Sequence, residues 1–150
     1  MGYTLEIVKY AHLKRGKIDN FFKSIKAMSA NYIYVADINN APCATDKKEK
    51  IQKKFKNIDG HRIIVVIKEI ESWYLAGLDD INCKKLGVNP FNITDNTDNI
   101  TKEQFNDMLP KKFDSRIDFM LEILKCFSID KAKEKNRSLK YFLEKYNCKI

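Results

Sequence analysis

The sequence predicts an α/β fold with a mainly parallel sheet that is flanked by helices. Three apolar segments rich in β-branched residues lie at 4–11, 32–37 and 62–68, and two segments with helical periodicity separate them. Strands that alternate with single helices are typical of βαβ units with right-handed crossovers. The second half of the chain shows helical periodicity without further strand-like segments, so we expect a helical C-terminal extension packed on the sheet.

Length and composition are those of one ordinary domain. The chain has 150 residues, of which 44% are hydrophobic and 32% are charged, values typical of a globular protein. Apolar stretches fall short of the roughly 20 residues that span a bilayer, and MGYTLEIVKY lacks the pattern of a signal peptide. We therefore expect a cytoplasmic protein without a membrane partner, with one domain over 1–150 that divides into a βαβαβ core at 1–77 and an extension at 78–150.

Five elements are predicted in the first half. TLEIVKYA (4–11) is the first predicted strand, and a helix at 18–28 follows, with apolar residues at i, i+3, i+4 and i+7. YIYVAD (32–37) is apolar and aromatic, which predicts the second strand. A lysine-rich helix is expected at 46–58. RIIVVIK (62–68) is an unbroken apolar run, which is typical of a strand covered on both faces.

The second half is predicted to be helical after a polar connection at 89–101. Thr101 and Gln104 have the spacing of a capping box for a short helix, which Pro110 ends. Three longer helical segments are expected at 115–126, 128–135 and 138–146. The inner face of the first of these is predicted to consist of Ile117, Met120, Leu121 and Leu124.

The charge of the chain points to a polyanionic partner such as nucleic acid. The formal net charge is +8, with 24 lysines and four arginines. Five basic residues of the predicted helix 46–58 are candidate phosphate ligands: Lys47, Lys48, Lys50, Lys53 and Lys54. The alternative is a solvated outer face of lysines with no ligand, and the sequence alone leaves both interpretations open.

Acidic and amide side chains follow two predicted strands at the point where each strand ends. Asp37 and Asn39 follow strand 32–37, and Glu69 and Glu71 follow strand 62–68. Because the carboxyl ends of parallel strands meet at one edge of a sheet, these side chains are expected to converge. Neighbouring carboxylates stay ionised only beside a cation or a basic group. Hard oxygen ligands favour Mg²⁺ or Mn²⁺, the chemistry of metal-assisted phosphodiester cleavage.

Each of these residues also has a structural interpretation. An aspartate after a strand, as in DINNAP, often forms a turn by bonding its own backbone. Glu69 fits the acid that a helix N-terminus favours. Trp73 and Tyr74, which follow directly in EIESWYLAG, are either core residues or a surface on which a base stacks.

Three blocks of the sequence resemble those of small TOPRIM-like proteins, relatives of the TOPRIM domains of OLD-type nucleases and phage-defence systems. The blocks are YIYVADINNAPCATDKKEKI, IIVVIKEIESWYLAG and AKEKNRSLKYFLEKY. The family pattern has a strand ending in D-x-D with a nearby cysteine, then E-x-E-x-W-x-L-A after a strand, then an A-x-x-x-N-x-S-x-x-x-F-L helix. The resemblance covers about residues 30–146 and implies a TOPRIM-like sheet.

Carried over by position, the resemblance implies roles for several residues. It makes Asp37 a metal ligand and Glu71 a further acid of the site, and it sets Cys43 as a structural neighbour. It also implies that Arg137 and Ser138 lie on a helix facing the site, so Arg137 joins the candidate nucleic-acid ligands.

Two departures from the family pattern bear on activity. Asn39 stands where the second aspartate usually stands, which removes one charge from the site. The catalytic glutamate strand of TOPRIM domains has no counterpart before strand 4–11, and Glu6 lies inside that strand. Three explanations stay open: a gene start further upstream, a second chain that supplies the missing piece, or catalytic degeneracy.

The function expected from these observations is that of a Mg²⁺- or Mn²⁺-binding, nuclease-related domain acting on nucleic-acid phosphodiesters, in defence against mobile DNA. Asp37 and Glu71 are the expected catalytic residues, and Asn39 and Glu69 complete the expected metal ligands. The alternative is a non-catalytic nucleic-acid-binding or assembly module with a degenerate site. The expected partners are nucleic acid and a second protein chain or a second copy.

Overall fold

The computed structural model describes residues 6–93 and 95–146. In this part of the chain, a two-stranded parallel sheet is surrounded by helices. The strands are β1 (Tyr34–Asp37) and β2 (Ile63–Val66). The helices are α1 (Arg15–Ala27), α2 (Ala44–Lys54), α3 (Glu71–Ala76), α4 (Asp80–Leu86), α5 (Lys102–Asp107), α6 (Arg116–Lys125), α7 (Ile129–Lys135) and α8 (Arg137–Lys145). The α/β class is confirmed, although helices dominate the fold.

The sheet carries core residues on both faces. β1 and β2 pair in parallel, with Tyr34 opposite Ile63 and Asp37 opposite Val66. All four residues of β2 are buried, which confirms that its unbroken apolar run is covered on both sides. Side chains alternate along a strand: Tyr34 packs into the cluster formed with α1 and α2, whereas its neighbour Val35 packs against the cluster of α3, α7 and α8.

The first predicted strand is wrong in the part that the structure describes. Residues 6–9 have no regular structure and Tyr10–His12 form a 3-10 turn, while positions 4 and 5 lie outside the described residues. The Tyr10 hydroxyl donates a hydrogen bond of 3.0 Å to the Val35 carbonyl on the outer edge of β1. A side chain therefore bonds the edge where a paired strand was expected, and of the three strands predicted within 1–77 the described residues contain two.

Most predicted helices are confirmed with shifted ends. Helix α1 buries Ile18, Phe22 and Ile25 of the apolar stripe expected for 18–28, whereas Phe21 and Met28, also expected on that face, are exposed. Helix α5 begins at the expected capping box, in which the Thr101 hydroxyl and the Gln104 side chain each accept a backbone N–H. The predicted helices at 46–58, 115–126, 128–135 and 138–146 are present as α2, α6, α7 and α8.

The predicted inner face of α6 is wrong at three of its four positions, since of these four residues Met120 alone packs against the core. Phe119 and Ile123 are fully buried, whereas Ile117, Leu121 and Leu124 are exposed. Helix α6 carries apolar residues on two sides, so periodicity alone does not determine which side faces the core. The side of α6 that carries Phe119 faces the core. The centroid of the Phe119 ring lies 5.3 Å from that of Phe105 and 5.2 Å from that of Phe113.

A buried polar network fastens the C-terminal helices to α3. The Trp73 indole N–H donates to the Ser138 hydroxyl at 2.8 Å, and that hydroxyl donates to the Asn136 side-chain oxygen at 2.9 Å. The Asn136 amide donates to Thr97 at 3.1 Å and to Ser72 at 3.3 Å. Since a buried polar group needs a partner, these contacts fix the position of α8. Within the described residues, no helix is both long and apolar enough to cross a membrane.

Candidate functional site

Asp37 ends β1, within range of the charges of Glu71 on α3 and of Lys47 on α2. Alternation places Tyr34 and Ala36 on the face covered by α1 and α2, and Val35 and Asp37 on the opposite face. That opposite face is covered by α3, which begins at Glu71. The parallel register therefore brings Asp37 to the edge of the sheet from which α3 starts, as the two strand ends predicted.

Three carboxylates lie close enough in this region for their charges to interact. Burial raises the pKa of Asp37, and the negative charges of Glu71 and Glu69 raise that pKa further. The backbone N–H of Ile70, which bonds the Asp37 carboxylate, and the positive charge of Lys47 act in the opposite direction. Asp37 therefore lies within electrostatic range of the two glutamates that follow β2.

A basic group already accompanies the buried member of this acidic cluster. Glu71 is buried at the start of α3, and its Oε1 lies 3.1 Å from Nη1 of Arg116 at the start of α6. A buried carboxylate requires such a partner, because its desolvation costs several kcal/mol when the charge is left alone. Arg116 thus provides the positive charge that the acids were expected to need.

Glu69 and Asn39 also have structural roles. The Glu69 carboxylate accepts the backbone N–H of Lys102, the first residue of α5. It therefore bonds one of the free N–H groups at that helix N-terminus. Asn39 is exposed in the turn after β1, with a φ of 50° in the left-handed region that asparagine tolerates.

Two of the four predicted metal ligands already have partners within the protein. Among residues 6–93 and 95–146, no group of three or more His, Cys, Asp or Glu side chains is placed to hold a metal ion. Glu71 binds Arg116 and Glu69 binds the start of α5. The assignment of Asp37, Asn39, Glu69 and Glu71 as metal ligands therefore stays a prediction.

The other face of the sheet edge carries a basic groove of about 440 Å³. Its walls are Tyr10 and Tyr34, the turn at 38–41, and the side of α2 that faces β1. Three lysines line it, Lys47, Lys50 and Lys54. Asp37 is the one acidic residue among the described residues of the lining. The groove is therefore suited to an anion.

The lining lysines are spaced along one side of α2. Positions 47, 50 and 54 follow the i, i+3, i+7 pattern of a single helix face, and the helix rise of 1.5 Å per residue spreads them over about 10 Å. Lys50 Nζ lies 2.8 Å from the Asp46 carboxylate. The three ammonium groups thus follow the groove instead of meeting at one point.

The other predicted basic ligands lie elsewhere. Lys48 Nζ sits 5.3 Å from the centroid of the Tyr141 ring, and Lys53 is exposed outside the groove lining. Arg137, at the start of α8, donates its backbone N–H and its Nε–H to the fully buried Asp98. The prediction that Arg137 binds nucleic acid is not tested, but the residue already anchors the loop before α5 to α8.

The motif residues behind the family resemblance are mainly structural in this chain. Trp73, Asn136 and Ser138 belong to the buried network described above, so the core interpretation of Trp73 is correct. Cys43 caps α2, because its sulfur accepts the Asp46 N–H at 3.4 Å. Sequence reasoning missed Arg116, since nothing in the local pattern links it to a glutamate on a different helix.

Comparison with known proteins gave no match, whether with family models, curated proteins or solved structures. The TOPRIM-like resemblance therefore rests on the quoted residues alone.

Proposed function

We propose that this chain is a nucleic-acid-binding module of TOPRIM-like architecture whose acidic cluster serves structure instead of catalysis. The observation that carries the proposal is the groove beside β1, lined by Lys47, Lys50 and Lys54. Phosphate contacts from lysines supply affinity without reading sequence. Arginine is scarce in this chain, so we expect binding with little sequence preference.

The separation of acids and lysines supports a binding role. Glu69 and Glu71 are bound to Lys102 N–H and to Arg116 on the α3 side of the sheet edge, whereas the lysines line the α2 side. A polyanion in the groove therefore meets three ammonium groups and, among the described residues of the lining, the single carboxylate of Asp37. The net charge of +8 favours its approach over longer distances.

Equilibrium binding of a fluorescent oligonucleotide tests the proposal. The wild-type chain is expected to bind both single-stranded and duplex oligonucleotides, and a variant with Lys47, Lys50 and Lys54 changed to alanine is expected to lose most of the affinity. The matched control changes Lys84, Lys111 and Lys140 to alanine. These lysines are exposed and lie outside the groove, so the control removes the same charge elsewhere on the surface. Equal losses in the two triple variants would show that only net charge matters and would reject the groove.

A second candidate function is metal-dependent phosphodiester cleavage with Mg²⁺ or Mn²⁺. The observation in its favour is the interaction among the charges of Asp37, Glu69 and Glu71. Metal-dependent cleavage requires Glu71 to exchange Arg116 for a metal ion. A role in defence against mobile DNA is proposed from the family resemblance alone. Plasmid nicking that depends on Mn²⁺ and is lost in Asp37→Ala would establish this candidate. Oligonucleotide binding without cleavage in any divalent metal would reject it.

A further inference from the structure

Helix α6 presents an apolar stripe to solvent in addition to the side that faces the core. Ile117, Leu121 and Leu124 are 64%, 53% and 51% exposed, while Phe119 and Ile123 are fully buried on the other side. An amphipathic surface helix normally has one apolar side, and a helix that is apolar on two sides is normally covered on both. Among residues 6–93 and 95–146, nothing covers the outer stripe.

The spacing of the stripe is that of a seam between two helices. Its members are separated by four and then three residues, which is the a/d spacing that packs one helix against another along a narrow line. We propose that α6 is a self-association surface, on which α6 of a second copy packs antiparallel about a two-fold axis near Leu121. The proposal is independent of the basic groove.

The charges beside the stripe are complementary to a second copy in antiparallel orientation, in which Lys125 would exchange its exposed pairing with Glu122 of its own helix for Asp118 of the other copy. Asp118 and Lys125 are seven residues apart, so they lie on the same flank of the stripe, near opposite ends of α6. A two-fold axis between antiparallel helices keeps a flank on its own side and reverses its direction, which places Asp118 of each copy beside Lys125 of the other. A parallel arrangement would instead set this flank against the opposite flank of the other copy and would form neither contact.

The charge of α6 also suits contact between two basic chains. The helix contains two basic and two acidic residues, Arg116, Lys125, Asp118 and Glu122, and so has no net charge, whereas the whole chain carries +8. Two copies meeting through α6 keep the lysines of α2 out of the contact. Because the stripe has three side chains on a ten-residue helix, we expect a weak dimer with a micromolar or weaker dissociation constant.

Sedimentation velocity over a hundredfold range of protein concentration tests the proposal. The wild-type chain is expected to shift from monomer to dimer as concentration rises, and Leu121→Lys is expected to remove the shift. Since Leu121 is half exposed, thermal unfolding of the variant should match that of the wild type, which separates lost association from misfolding. The matched control is Ile81→Lys, because Ile81 is 66% exposed on α4 and lies outside the stripe.

A charge exchange tests the antiparallel orientation. Lys125→Glu is expected to abolish the dimer by facing Asp118 of the other copy, and the double variant Asp118→Lys with Lys125→Glu is expected to restore it. A wild-type chain that stays monomeric, including one that binds phospholipid vesicles through Leu121, overturns the proposal. So does a dimer that survives Leu121→Lys or is not restored by the double exchange.

Discussion

Glu71 Oε1 and Arg116 Nη1 lie 3.1 Å apart and join the first residue of α3 to the first residue of α6. Glu71 is buried and shares its surroundings with Asp37, whose pKa is raised first by burial and then by the charge of Glu71. The ion pair therefore neutralises Glu71, the buried member of the acidic cluster. This arrangement leads to the first two predictions.

Arg116→Ala is expected to destabilise the fold by about 3 kcal/mol, because it leaves the buried Glu71 carboxylate without its cation. Urea unfolding measures the change as a shift of the midpoint at constant slope. Glu71→Gln in the same chain is expected to recover part of the loss, since it removes the unpaired charge. A change in the free energy of unfolding within about 0.5 kcal/mol, as for ordinary surface substitutions, would show that water stabilises the Glu71 carboxylate as well as the Arg116 guanidinium does.

Asp37→Asn is expected to stabilise the chain at neutral pH. The folded pKa of Asp37 is raised by burial, by Glu71 and by Glu69, above an unfolded value of about 3.9. The folded chain thus binds this proton more tightly than the unfolded chain, so the stability due to Asp37 is complete below the unfolded pKa and is lost as pH rises through the folded pKa. The asparagine side chain does not titrate, so the Asp37→Asn variant does not lose this stability as pH rises.

Urea titrations of the wild type and Asp37→Asn across a pH series measure this difference. The variant should be more stable at pH near 7, and the difference should shrink as pH falls towards the unfolded value of about 3.9. A difference that is independent of pH would place the effect in packing instead of charge.

Ser138→Ala is expected to cost about 1–3 kcal/mol, because it leaves the buried Trp73 indole N–H without its acceptor. Trp73 is the single tryptophan of the chain, so its fluorescence reports directly on this contact during thermal unfolding. The control is Ser24→Ala, whose hydroxyl bonds Asn20 at an exposed position of α1. Equal stability of the two variants would contradict a structural role for the network.

Gly77→Ala is expected to destabilise the chain by about 1–3 kcal/mol through overpacking. A Cβ at Gly77 would lie 2.2 Å from Cδ2 of Phe127, closer than any normal contact. Gly16→Ala is the matched control, because a Cβ there meets nothing within 4 Å and helix α1 gains a better helix former. Differential scanning calorimetry should lower the Tm of the first variant only, and a normal Tm for Gly77→Ala would show that Phe127 moves freely.

Local signals in the sequence predicted α1, α2 and α5 to α8 and the second and third apolar segments, whereas the short helices α3 and α4 were not among the predicted elements. The Thr101–Gln104 capping box and the stripe of Ile18, Phe22 and Ile25 depend on neighbours a few residues away. Parallel pairing places the carboxyl ends of the two strands at one edge of the sheet, which is why the approach of Asp37 to Glu69 and Glu71 was predictable.

Long-range contacts were not predictable in the same way. The segment 4–11 has strand-like composition, but a short apolar run becomes a strand only if another strand's edge pairs with it, and the Tyr10 side chain bonds that edge instead. The polar connection 89–101 was expected to be a loop, yet it buries Thr97 and Asp98 against the start of α8. Their partners lie in another part of the sequence, and no local spacing reveals them.

The salt dependence of oligonucleotide binding tests the central claim most directly, because it counts the phosphates that the groove lysines neutralise. The logarithm of the association constant is plotted against the logarithm of salt concentration for the wild type and for the variant with Lys47, Lys50 and Lys54 changed to alanine. The claim predicts a slope shallower by about 2 to 3 in the variant, since each lost phosphate contact removes about 0.7–0.9. Parallel lines for the two proteins would place the phosphates elsewhere and contradict the claim.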